Sequence, residues 1–295
     1  MEPQKAGVSF MNKSLFSELY YKVFESGNRL FLFIGINVLV FLTIGLVLVG
    51  EVLFGKSRET TEFIVRQIAM PAYVPALAPK FWTIIAYMFG HKDFFHILFN
   101  MLWLYWMGRI FLDFMNQKQF TFLYFAGGIA GALFFIIFYN VFPVFKEVLP
   151  GATLLGASAS VMAIVVATAT LLPDYTISLL FLGPVKLKYI ALVYVLLDIL
   201  GIAGGNPGGS IAHLGGALIG FIYIKQLRGG NDWSKMFLKK TKLTVVKKGN
   251  PTTVKRTSLP DQEIIDTILD KISKSGYDSL SKKEKEQLFN ASKKE

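Results

Sequence analysis

Residues 31–50 read FLFIGINVLVFLTIGLVLVG, a run without a single charge. A bilayer core takes about 20 apolar residues as one helix, because a helix satisfies its own backbone where water cannot. A secretory signal does not fit. Its apolar core would be roughly 7–15 residues long and would end at a small-residue cleavage site. Here polar and basic sequence precedes the run and Glu51 follows it. Residues 31–50 therefore read as a membrane span.

The pattern recurs along the chain. Apolar stretches at about 94–113, 119–141, 157–172, 187–203 and 210–226 complete a set of six. The expected fold is all-α, a polytopic bundle of six transmembrane helices with a small cytoplasmic helical appendage. The connections near Asn116–Lys118, Pro143–Gly156, Pro173–Lys186 and Gly201–Ser210 read as turns or short loops. The longest connection, 51–93, holds Arg66, Pro71, Pro75, Pro79 and Trp82. It is too mixed to span and too apolar for a plain linker, so it reads as a structured loop on or in the membrane interface.

Composition agrees. The 295 residues are 53% hydrophobic and 17% charged, against about 45–50% and 25% in soluble domains. That argues against a disordered chain and against a soluble globule. The absence of cysteine excludes a disulfide framework, thiol catalysis and Cys-ligated zinc. Net charge is +11, and from Lys225 onward 17 Lys and Arg face 9 Asp and Glu. Basic residues beside apolar spans read as a cytoplasmic membrane face rather than a nucleic-acid surface. Lys5, Lys13, Lys22 and Arg29, then Arg109 and Lys118, then Lys186 and Lys188, then the tail fall on one side if six helices cross. The third connection has only Lys146 and the fifth has none. The first loop breaks the pattern with Lys56, Arg58, Arg66 and Lys80, partly offset by Glu51, Glu59 and Glu62. The expectation is a multi-pass protein of a cell membrane, of the bacterial inner-membrane kind, with both termini cytoplasmic.

The chain divides into a cytoplasmic N-terminal segment (1–30), a membrane domain (31–227), a basic linker (228–260) and a C-terminal appendage (261–295). In the appendage, Ile264, Ile265, Ile268, Leu269 and Ile272 recur at helical spacing. Gly276 reads as a helix stop, and Ser279 or Ser281 as the cap of a second helix. The sequence supports a small helical hairpin and no particular binding role.

Polar groups inside a bilayer are costly, and each one is a functional hypothesis. The chain has three histidines, His91, His96 and His213, all in or at the edge of apolar stretches. His96 and Asn100 are four apart and share a helix face. Ser158 opens the fourth span, and His213 lies about one turn into the sixth. If the second, fourth and sixth spans run inward, Asn100, Ser158 and His213 reach a similar depth, roughly 5–10 Å below the outer ends. Serine, imidazole and an amide donor at one level are what acyl transfer needs. Small residues flank the serine in Gly156-Ala157-Ser158-Ala159, and a helix N-terminus favours developing negative charge. A helix from Ser158 to Leu172 would span about 22 Å, less than a bilayer core, so the serine would sit in a recess. Gly216 and Gly220 form a G-x-x-x-G spacing that lets helices touch closely.

Each residue also has a plainer reading. Ser158 fits a helix N-cap, and Ser160 is a rival nucleophile some 200° around the helix. His213 fits an interhelical hydrogen bond, and His91 a loop histidine at the interface. Asp198, near the outer end of the fifth span, reads as structural or interfacial rather than as a third catalytic member. Asn37 reads as packing glue between helices. Phe134–Phe135 and Trp103–Trp106 read as lipid-facing or interfacial anchors. No metal site is expected, since His91 and His96 are five apart with neither H-E-x-x-H nor a carboxylate pair. A transporter would place polar groups at the midplane of repeated halves, and no internal repeat is evident.

Three motifs in order, HKDFFHILFNMLWLYWMGRI (91–110), GASAS (156–160) and AHLGGALIG (212–220), resemble the rhomboid intramembrane serine proteases. The resemblance covers about residues 30–227. It implies a six-helix core, Ser158 as nucleophile, His213 as general base, and His96 and Asn100 as oxyanion-site residues. It also implies a first loop, holding Trp82, that is partly embedded in the membrane. Transmembrane protein substrates and no cofactor follow from it. Three departures stand out: Ala159 replaces a glycine, Met162 replaces an aromatic residue that packs on the histidine, and Asp113 is shifted from the acidic position expected after Gly108. The alternative is a catalytically inactive rhomboid-like scaffold. Oligomeric state is not legible.

Overall fold

The structure, a computed structural model, describes residues 15–179, 183–236 and 262–292. Lys5, Lys13 and most of the expected 228–260 linker lie outside the described residues. The chain forms two compact units that divide near residue 238.

In the first unit helices occupy all six apolar stretches: α1 (Arg29–Leu53), with α2 (Glu59–Ile68) following in the first loop, then α3 (Phe94–Phe114), α4 (Gln117–Val141), α5 (Ser158–Leu171), α6 (Leu187–Gly201) and α7 (Pro207–Arg228). Four of them, α1, α3, α4 and α7, are long and apolar enough to cross a membrane; α5 has 14 residues and α6 has 15. Asparagine caps set several starts. Asn28 accepts from Leu30 N–H, Asn116 forms a capping box with Gln119, and Asn206 accepts from Gly209 N–H ahead of Pro207.

Two connections depart from the sequence reading. Pro173–Lys186 is no simple turn: β3 (Thr176–Leu179) pairs antiparallel with β4 (Gly183–Lys186). In the first loop β1 (Met70–Pro71) pairs with β2 (Thr153–Leu154), and Ala72 N–H donates to Ala152 O at 2.9 Å. The first loop is thus stitched to the segment that leads into Ser158. Apart from these two small pairings the fold is mostly helical.

Helix α5 lies at the centre and is buried from Ala159 through Ala169. Its neighbours approach through glycine. A Cβ at Gly216 or Gly220 of α7 would strike the Ala159 or Ala163 carbonyl of α5, so the G-x-x-x-G spacing does bring backbones together. Gly127, Gly128 and Gly131 of α4 meet Ala163, Ser160 and Ala159 from the other side. Asn37 of α1 donates to Phe33 O at 2.8 Å and to Tyr124 Oη of α4 at 3.2 Å, gluing the two helices. Phe135 is a correction: it is buried on Tyr139, at 4.5 Å between ring centroids, and is core rather than anchor. Trp106 is exposed, as an anchor would be. The outer faces carry large apolar side chains, among them Leu42 and Leu46 of α1, Leu133 and Ile137 of α4, and Leu196, Leu197 and Leu200 of α6. In water such a surface would aggregate, whereas in lipid it is solvated.

One end of the bundle gathers basic residues. At the end where α5 and α7 stop, Arg228 donates to Thr170 O at 2.9 Å and Leu171 O at 3.0 Å, capping the carbonyls of α5. Asp174 pairs with Lys186 and Lys188 at 3.0 and 2.9 Å there. The Lys188 ammonium, then Lys186, hold its carboxyl below the usual carboxylate value. Arg29 N–H donates to Gln117 Oε1 at the same end.

In the second unit α8 (Gln262–Ser275) stops at Gly276, whose φ of +77° suits glycine. Then α9 (Lys282–Ser292) starts from Ser281. Ser281 N–H donates to Glu284 Oε2 at 2.7 Å and Glu284 N–H to Ser281 Oγ at 3.3 Å, while Lys271 Nζ reaches Glu284 Oε1 at 3.0 Å from α8. Ile268 and Leu280 are buried.

Candidate active site

Ser158 is the first residue of α5, and Ala157 occupies the cap position with no side-chain capping bond. The serine is therefore not an N-cap. Its side chain lines a cavity of about 610 Å³, shared with His96, Asn100, Met162, Tyr194 and His213. The four residues singled out for acyl transfer, from α3, α5 and α7, border one space. Ser160 does not line it: it is fully buried, with Gly128 of α4 against its Oγ.

The local backbone explains why the serine faces a hollow. Gly156 has φ +140°, a conformation that favours glycine. Its N–H donates to Tyr87 O at 2.9 Å. A Cβ built there would lie 2.9 Å from His96 Cε1, 3.1 Å from His96 Nε2 and 3.7 Å from Ser158 Oγ. The missing side chain leaves the space where the His96 ring and the Ser158 hydroxyl face each other. His91 is a loop histidine that is fully buried, and its imidazole supports the serine loop. Ala157 N–H points to its Nε2 at 3.4 Å, and its ring meets His96 edge-on at 5.0 Å. Burial, and then the neighbouring His96, push the His91 ring down to about 3, so it stays neutral.

Asn100 is buried, and its Nδ2 donates to His96 O at 2.8 Å, one turn back on α3. The second amide hydrogen is left for the cavity. Ala159, the departure from glycine, turns its methyl toward Gly131 of α4 and away from the cavity. Met162 does line the cavity, so no aromatic ring at that position stacks on His213.

His213 has a partner that the sequence reading did not give it. Its Nδ1 lies 2.8 Å from Asp198 Oδ1 of α6. An ionised carboxylate only accepts, so the Nδ1 that faces it is the donor, which in a neutral ring leaves Nε2 as the acceptor. Ser158 Oγ and His213 are not hydrogen-bonded to each other. Such bonds are often long in an unliganded site and tighten in the substrate complex. The juxtaposition had a signal: Asp198 lies one turn before Gly201, and His213 one turn after Ser210. A Cβ at Gly201 would strike Ser210 Oγ, so the tight return sets the two residues level.

Chemically the cavity offers a hydroxyl at a helix N-terminus, an imidazole acceptor, and the amide and imidazole donors of Asn100 and His96. The Rhomboid domain model matches residues 78–229, just over half of the chain. A family of unknown function (DUF6576) matches residues 257–294. RHOMBOID-like protein 12, mitochondrial, of Arabidopsis thaliana is 32% identical over 157 residues, covering 50% of this chain and 47% of that protein. Presenilin-associated rhomboid-like protein A, mitochondrial, of Danio rerio is 28% identical over 153 residues, covering 51% and 38%. The chain thus spans less than half the length of either relative. Both relatives are mitochondrial by name, which does not fit the expected cell membrane of bacterial type; the assignment to a membrane, in several passes, stands.

Proposed function

The chain belongs to the rhomboid family, and from that premise we propose that it is an intramembrane serine endopeptidase that hydrolyses peptide bonds in or beside transmembrane segments. The observation that carries the reading is the shared cavity of Ser158, His213, His96 and Asn100. His213 Nε2 takes the proton from Ser158 Oγ as the oxygen attacks the scissile carbonyl, and returns it to the leaving amine. The Ser158 N–H, the Asn100 amide and the His96 ring hold the developing oxyanion, each such donor being worth about 10²–10³ in rate. The acyl-enzyme is then cleared by water.

The substrates are single-span membrane proteins with small or helix-breaking residues near the cleaved bond, since an intact helix hides its carbonyls. The cavity opens at the end of the bundle opposite Arg29, Lys186, Lys188 and Arg228. With the positive-inside rule, this supports a reading in which cleavage is at the outward face and both chain ends are inside. The protein reconstituted in vesicles with a single-span substrate tests the reading. Cleavage by wild type and none by Ser158→Ala is expected. Cleavage that survives Ser158→Ala, or a wild type that neither cleaves nor reacts with serine-directed inhibitors, would leave a rhomboid scaffold without this chemistry.

A further inference from the structure

We infer that Asp198 is a positioning residue for the proposed proteolysis, so that the site works as Ser158–His213–Asp198 rather than as a pair. The inference rests on the protease reading. Asp198 is buried, with 11% of its side chain exposed, on a helix whose outer face is leucine. A carboxylate there is expensive unless it is paired. Among the described residues its one hydrogen bond is from His213 Nδ1, at 2.8 Å, and its other oxygen, Oδ2, has no protein partner. If the group served only to bind α6 to α7, an apolar side chain would do so without leaving an oxygen orphaned. The bond fixes what a general base requires. It holds the proton on Nδ1, directs the lone pair of Nε2 into the cavity with Ser158, and faces the imidazolium that forms when Oγ gives up its proton. The proton stays on the imidazole throughout; the carboxylate does not take it.

Met162 lines the same cavity as His213. A flexible thioether restrains an imidazole poorly. Asp198, on the neighbouring helix, supplies a restraint by accepting the hydrogen bond from His213 Nδ1. The tight return from Gly201 to Ser210 makes this possible by holding α6 and α7 level.

Two measurements test the assignment. The chain has three histidines, so ¹⁵N-histidine NMR of the full protein resolves few rings, and the His213 signals are identified by their loss in His213→Gln. Wild type should show the neutral His213 ring protonated on Nδ1, and Asp198→Asn should move the proton to Nε2. In the vesicle assay Asp198→Asn should lower kcat by about 10²–10⁴-fold, the scale for an orienting carboxylate, with KM within about twofold and thermal stability close to wild type. Asp198→Glu should recover part of the loss. An Nε2-protonated His213 in wild type overturns the inference, as does an Asp198→Asn protein with undiminished kcat. Loss of activity that follows loss of stability in both variants overturns it too. The tautomer reads the Asp198–His213 bond even where wild type does not cleave. A failure of the protease reading is therefore distinguishable from a failure of this one.

Discussion

Gly156 and Ala159 are three residues apart in sequence and tolerate opposite changes. Gly156 combines φ +140° with a neighbouring His96 ring that leaves no room for a methyl group. Gly156→Ala should therefore displace His96 and lower kcat/KM by at least about tenfold, a backbone and packing cost of about 1–3 kcal/mol at the site. Ala159→Gly should leave kcat/KM within about threefold, because the methyl faces Gly131 and not the cavity. It should cost about 1 kcal/mol of stability, the usual helix penalty of glycine. Vesicle kinetics with thermal melts of both variants separate the two effects. At this scale much of the site was legible, because a polar side chain in an apolar run stands out on its own. Ser158, His213, His96 and Asn100 could be read that way. Asp198 stood out equally but its pairing with His213 did not, since which face of α6 meets α7 is decided by the loop at Gly201–Ser210 rather than by residues near 198. The burial of His91 was hidden for a similar reason: β1–β2 pairing, across some eighty residues, stitches the first loop to the segment that leads into the serine.

Helices pack here through backbone contact, and that carries its own consequences. Gly220→Ala should push α7 off the Ala163 carbonyl and cost about 1–3 kcal/mol by overpacking. Gly45→Ala, with open space around it, should be neutral or slightly stabilising; thermal melts in detergent compare them. The appendage makes a pH test. The Ser281 backbone N–H, the Lys271 ammonium and the Ser281 hydroxyl push Glu284 down to about 2. A carboxyl depressed in the folded state stabilises it fully above the ordinary carboxylate value and loses that contribution as pH falls toward 2. Carboxyl ¹³C NMR of the whole protein should give Glu284 a midpoint near 2; a midpoint at the ordinary glutamate value would refute the capping box. The apolar helices were legible because long uncharged runs have few other fates. The β3–β4 pair was not: four residues on each side, TISL and GPVK, are too short for alternation to rise above a loop.

Across the whole molecule the charge asymmetry and the outward apolar faces make one prediction about placement. The chain has no cysteine, so single reporters can be introduced without background. Cysteine at Lys92, beside the cavity, and cysteine at Lys235, beyond α7, should react with an impermeant maleimide from opposite sides of a sealed vesicle. Reaction of both from the same side would refute the orientation. The central claim, that Ser158 is the activated hydroxyl, is tested most directly by fluorophosphonate labelling of the membrane-embedded wild type followed by peptide mass mapping of the modified residue. A single adduct on Ser158, lost in His213→Ala, is the expected result. An adduct on Ser160, an adduct that persists without His213, or no adduct at all would contradict it.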